Sequence, residues 1–129
     1  MGDQRYIPLE DLEVYQLAVE LSRNAWEIYY GLDWQNRKIM GDQFIKSADS
    51  VGANIAEGYS RYYYLDKIKF YYNSRGSLNE CCCHWLRLLE ERRLVDKSRI
   101  DPIKIIYNKL SLKLNNFITT TYRSKQQHK

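Results

Sequence analysis

The sequence predicts an all-α protein, an antiparallel up-down-up-down four-helix bundle, and three observations carry that expectation. Apolar residues recur at helical spacing through four long stretches. Only short links separate them, and short links join antiparallel neighbours. No stretch alternates apolar and polar residues as a strand would. The expected single domain has helices over about 9–31, 37–62, 65–94 and 102–122, followed by a frayed polar tail over 124–129.

The first helix opens at Pro8 or Leu9, with Glu10 and Asp11 in the turn where the helix dipole favours acids. Gly31 reads as its C′ residue. Val14, Leu17, Ala18, Leu21, Ala25 and Ile28 form one apolar stripe. Leu12, Tyr15, Val19, Trp26, Tyr29 and Tyr30 form a second, displaced by roughly 130° at the helical pitch. A bundle helix needs a single stripe about 100° wide. The aromatic-rich surplus predicts that another subunit covers those six residues.

In the second helix Phe44, Ala48, Val51, Ile55 and Tyr59 share a stripe. Gly52 and Gly58 cost this helix roughly 1 kcal/mol apiece relative to alanine, a cost expected where a neighbouring backbone comes close. Gln43, Ser47, Ser50, Asn54, Glu57 and Arg61 form a polar ladder in which each residue can reach the next. Tyr62, Tyr63 and Tyr64 mark the following turn, as packing or interface residues or as a stacking platform for bases.

The third helix is expected to turn Tyr71, Ser74, Leu78, Cys81, Cys82, Trp85, Leu88 and Leu89 inward, with Gly76-Ser77 approaching Gly52 and Ala56. The fourth reads as capped by Asp101, with Pro102 at its first position. Ile103, Ile106, Tyr107, Leu110, Leu114, Phe117 and Ile118 make its apolar side.

The net charge of +4 hides a division. Residues 92–129 carry ten Lys or Arg against two Asp, a net +8, which leaves −4 on residues 1–91. Such a basic portion attracts polyanions or pairs with acidic neighbours. Arg92, Arg93, Lys97, Arg99, Lys109, Lys113 and Arg123 are the candidate nucleic-acid-binding residues. Cys81, Cys82 and Cys83 are consecutive, point in different directions on a helix and form no disulfide framework, so a reducing cytoplasm is the expected compartment. There is no apolar run of membrane-spanning length, and the opening residues read neither as a signal peptide nor, at Gly2, as a myristoylation signal.

The run Ser50-x-x-x-Asn54-Ile55-Ala56-Glu57-Gly58, then Arg61, then Gly76-Ser77-Leu78-x-Glu80, resembles the four helix bundle protein family. That family comprises the ribosomal-RNA intervening-sequence proteins and is related to the accessory variability determinants of diversity-generating retroelements. Asp11-Leu12-x-Val14-Tyr15-Gln16-x-Ala18 is similar to its amino-terminal signature, and the likeness runs from about Leu9 to Leu94, more loosely to Ile118. Trp34, Tyr63 and Ser74 depart from the family pattern. The resemblance implies a homopentamer, a shared polar face of Ser50, Asn54, Glu57, Arg61, Ser77 and Glu80, and, as in the retroelement members, nucleic acid and a reverse transcriptase as partners.

Catalytic and metal patterns are sparse. A di-iron bundle needs Glu-x-x-His on two helices, whereas Glu80 and His84 are four apart and have no counterpart. Cys81 to His84 is one ligand cluster where zinc wants two, and His128 lies in the tail. No Gly-rich phosphate loop and no Ser/His/Asp or Cys/His set can be assembled. The expectation is a non-enzymatic, homo-oligomeric module without cofactor or metal that binds RNA or DNA and a protein such as a reverse transcriptase. A protein-only scaffold is the alternative, and a metal-dependent hydrolytic enzyme a distant third.

Overall fold

A computed structural model describes residues 6–127. Gly2 and His128 lie outside them. The chain forms four long antiparallel helices, and no strand occurs among the described residues. A short 3-10 turn, Leu9–Asp11, precedes α1 (Glu13–Gly31). α2 spans 34–59, α3 spans 64–91, and α4 is Lys97–Gln127. Each helix packs on its neighbours in the order α1, α2, α3, α4 and back to α1. The four expected stripes meet in one core in which Ala18, Leu21, Phe44, Val51, Ile55, Leu78, Leu110 and Leu114 are wholly inaccessible to solvent.

Several boundaries differ from the sequence expectation, each for a physical reason. The first helix breaks at Leu12, which is extended and buried. Gly31 is the last helical residue and not a left-handed cap, since no described glycine has positive φ. Its capping role passes to Arg37, whose guanidinium donates to the carbonyls of Tyr29 at 3.1 Å and Tyr30 at 2.6 Å. α2 begins three residues early because the Asp33 carboxylate accepts the Asn36 N–H at 2.8 Å.

A π-helical turn, Glu80–Trp85, inserts an extra residue into α3. The inward face therefore slips by one position. Leu86, outside the expected inward set, is buried beside the expected Leu89, while the expected Trp85 and Leu88 are only partly covered. α3 then ends on Arg93 at φ 56°. Its N–H bonds the Glu90 carbonyl and that of Leu94 reaches back to Leu89, both at 3.0 Å, a Schellman closure that usually takes glycine.

α4 starts a full turn before Asp101-Pro102, leaving Pro102 inside the helix. The extra turn is anchored by Ile100, which is completely buried, and by the Asp96 carbonyl, which accepts from Arg99 and Ile100. At its far end α4 continues through Gln127.

Candidate interaction surfaces

The six residues of the second α1 stripe do not share one environment. Leu12 is buried against the chain's own core, because the break before α1 folds it inward. The Tyr29 hydroxyl donates to Asp42 at 2.6 Å, and Arg37 lies 5.1 Å from its ring centre. That hydrogen bond raises the Tyr29 pKa and holds the Asp42 carboxyl below its ordinary range, with Lys38 helping at 3.6 Å. Trp26 and Tyr30 are 51% and 69% exposed, and Trp26 stacks on Tyr29 with ring centres 5.6 Å apart.

Tyr15 and Val19 are half-buried at the rim of a groove between α1 and α2. The groove exists because small residues line it. A Cβ on Gly52 would sit 3.5 Å from the Ala18 Cβ and 3.8 Å from the Tyr15 ring. The neighbour that Gly52 admits is therefore α1, not α3. A further hollow of about 380 Å³ continues along α1 past Glu10, Glu20 and Arg23.

Gly58 is the glycine that meets α3: a Cβ there would lie 2.7 Å from Tyr71 and 3.0 Å from the Lys67 carbonyl. The expected approach of Gly76 to Gly52 and Ala56 does not occur, and the space beside Gly76 is open. The buried link between these helices is Ser74, whose hydroxyl donates to the Val51 carbonyl at 2.8 Å.

The motif polar face is largely satisfied within its own helices. Ser50 donates to the Lys46 carbonyl and Asn54 to that of Ser50, both at 2.8 Å. Glu57 pairs with Arg61 at 2.9 Å, and Arg61 also lies over Phe70. Glu80 accepts the Trp85 indole N–H at 2.8 Å, while Ser77 sits half-buried on α3. Ser47, expected on this ladder, is instead buried and bonded to the Phe44 carbonyl at 2.8 Å.

The seven basic candidates fall in separate places. Lys97 and Arg123 are about 39 Å apart along α4 at the rise of a helix. Arg92, Arg93, Lys97 and Arg99 gather at the exposed α3–α4 turn. Lys109 and Lys113 lie midway, and Arg123 near the opposite end. Two of the seven are tied to α1: Arg99 to Glu27 at 3.4 Å and Lys113 to Glu13 at 3.1 Å. Lys104 likewise pairs with Glu90 at 3.0 Å.

Sequence reasoning passed over Ile105 and Leu112. Both stand exposed on the outer side of α4, 64% and 63%, seven residues apart and opposite the buried stripe. That spacing was the available signal.

Cys81 is buried, and its hydrogen bond to Cys82, together with burial, pushes the Cys82 thiol far above its ordinary value. Cys83 donates to the Tyr107 oxygen at 3.3 Å, and Tyr107 donates in turn to Asn79 at 2.9 Å. No group of three or more His, Cys, Asp or Glu is placed to hold a metal among the described residues, and none of their helices is long and apolar enough to cross a membrane.

These features define a class, an all-α helical bundle. The family model for the 23S rRNA-intervening sequence protein matches residues 10–116, and the chain belongs to that family. Among solved structures it is similar to a protein with unknown function from the S23 ribosomal protein family of Bacteroides thetaiotaomicron VPI-5482. The two are 24% identical with a TM-score of 0.75, over 81% of this chain and 97% of the other, a likeness of fold. A search of curated proteins finds no match.

Proposed function

We propose that this chain is a non-enzymatic, homo-oligomeric module that binds nucleic acid through its basic α3–α4 turn. The observation that carries the reading is Arg93. It occupies a left-handed position where glycine is preferred, at a cost of about 1–2 kcal/mol, between the exposed Arg92 and Lys97. A charge held at that cost points to a use for it. The up-down topology places this turn at the same end as Arg37 and the exposed Trp34 and Tyr30, so cations and stackable rings share one end of the bundle.

The resemblance adds five copies as the expected assembly and a reverse transcriptase as a protein partner, with RNA or DNA as the nucleic acid. A filter-binding titration with RNA and DNA at several salt concentrations tests the reading. Binding should weaken steeply with salt as counterions are released, and replacing Arg92, Arg93 and Lys97 with Ala should flatten that slope by about 3. Arg93→Gly should stabilise the fold while weakening binding. No binding at low salt, or a slope indifferent to the triple variant, overturns the reading.

The protein-only scaffold keeps one observation in its favour: Arg99, Lys104 and Lys113 are occupied by acids of their own chain. The same titration separates the two.

A further inference from the structure

We infer that Cys83 is a site of reversible thiol modification. It reacts with a small acidic disulfide of the glutathione class, which the cavity beside it recognises by charge.

Cys82, Cys83, Leu86, Arg87, Glu90 and Lys104 line a cavity of about 400 Å³ between α3 and α4, a volume that admits a small peptide-like ligand. Arg87 stands one turn beyond Cys83, on the same side of α3. Its guanidinium makes no ion pair or hydrogen bond with another described residue. Lys104 reaches over from α4 and pairs with Glu90 at 3.0 Å. The wall therefore presents two cations and one carboxylate. Each half of oxidised glutathione presents the converse at neutral pH, two carboxylates and one ammonium. A guanidinium suits such a ligand because it can bind both oxygens of a carboxylate at once.

Three consecutive thiols meet three environments. Cys81 is sealed in the core. Cys82 borders the cavity, but its hydrogen bond to Cys81 and its burial keep its thiol protonated and inert. Cys83 alone is exposed, and Arg87 and Lys104 give it the cationic, accessible surroundings in which thiols react. Tyr107 aims its sulfur: the hydroxyl oxygen accepts from Cys83 at 3.3 Å while donating to Asn79 at 2.9 Å. The π turn Glu80–Trp85 spans all three cysteines, and turns of this kind recur at functional sites.

The reaction is a thiol–disulfide exchange. Cys83 gives its proton to solvent, and its sulfur bonds one sulfur of the disulfide. The bond between the two glutathione sulfurs breaks, its electron pair leaves on the departing sulfur, and that thiolate takes up a proton. Cys83 is thereby oxidised to a mixed disulfide and one glutathione is released reduced. The adduct then persists, because the sequence has no cysteine placed to resolve it. Cys82 is the adjacent residue, and successive Cα atoms lie about 3.8 Å apart, short of the roughly 4.4–6.8 Å that a disulfide spans. Cys81 is buried. Reversal therefore requires an external thiol.

Intact-mass spectrometry of the folded full-length protein after incubation with oxidised glutathione tests this, with circular dichroism as the check on folding. One glutathionyl group per chain should appear and be removed by dithiothreitol. Cys83→Ser should abolish it and Cys82→Ser should keep it. Comparing the rate with that of the neutral hydroxyethyl disulfide separates recognition from mere exposure. The ratio of the two rate constants should be about tenfold higher in the folded chain than in the same chain in urea. Arg87→Gln should lower that ratio about threefold, and Lys104→Gln added to it should remove the rest, whereas Arg87→Lys should keep most of it. No adduct on the folded wild type, or an adduct that survives Cys83→Ser, overturns the site. A ratio equal in folded and unfolded chains, or one that the double charge variant leaves unchanged, overturns the recognition and makes Cys83 an ordinary exposed thiol.

Discussion

The seam between α2 and α3 and the seam between α1 and α4 hold the same bundle together by opposite means. Between α2 and α3 the contact is close and dry. Gly58 lets the Tyr71 ring lie against backbone, and the buried Ser74 hydroxyl bonds the Val51 carbonyl. Burial there raises the Tyr71 pKa well above the ordinary tyrosine value. Between α1 and α4 the polar links are exposed, Glu13 to Lys113 and Glu27 to Arg99, each group about half accessible. Packing at the first seam has little tolerance for added atoms, whereas the second draws less on its charges than their number suggests. The contrast teaches where stability resides and leaves the outer sides of α1 and α4 free for other contacts.

The sharpest way to break the comparison is Gly58→Ala. A methyl group there collides with Tyr71, with the Phe70 Cβ at 2.9 Å and with a backbone carbonyl, so α3 must shift. Overpacking of this kind costs about 1–3 kcal/mol, and the better helix propensity of alanine returns only about 1. A fall of several degrees in melting temperature is expected. Gly76→Ala is the control within the same bundle. It is also mid-helix, but a Cβ there meets nothing, so propensity acts alone and the melting temperature should rise by a few degrees for about 1 kcal/mol. If both substitutions moved stability the same way, the close approach at Gly58 would not be the cause.

Ser74→Ala probes the same seam with a smaller effect. It removes a buried hydrogen bond worth about 1 kcal/mol, partly offset by alanine's propensity, and leaves no carbonyl stranded, since Val51 lies within α2. Chemical denaturation should register a loss of about 0.5–1 kcal/mol with an unchanged slope.

These seams also explain what the sequence could and could not convey. The α1 and α2 stripes were legible because both helices keep a regular 3.6-residue period through Val14–Ile28 and Phe44–Ile55. Leu86 was not, because the π turn before it changes the phase and leaves no mark in residue type. The start of α4 was misread because Asp-Pro is a strong local signal, and only tertiary burial of Ile100 overrides it. The basic set was legible as composition but not as a site. Arg99 finds Glu27 across 72 residues, and no local pattern announces such a pairing. The doubled apolar face of α1 was half legible: Trp26 and Tyr30 do stand exposed, whereas Leu12 is taken up by a break that periodicity does not reveal.

The α1–α4 links give the smallest effect and close the comparison. A double-mutant cycle on Glu13→Gln and Lys113→Met isolates their coupling from the separate effects on helix propensity. Both groups are well solvated, so water and salt screen the attraction and the side chains lose freedom to make it. A coupling of about 0.2–0.5 kcal/mol is expected in low salt, fading toward zero near molar salt. A coupling of several kcal/mol that persisted in salt would mean that the pair is buried in the working protein. Since the chain alone leaves it exposed, the cover would have to come from a neighbouring subunit. The weakest stability term in the bundle would then report on what packs against α1 and α4.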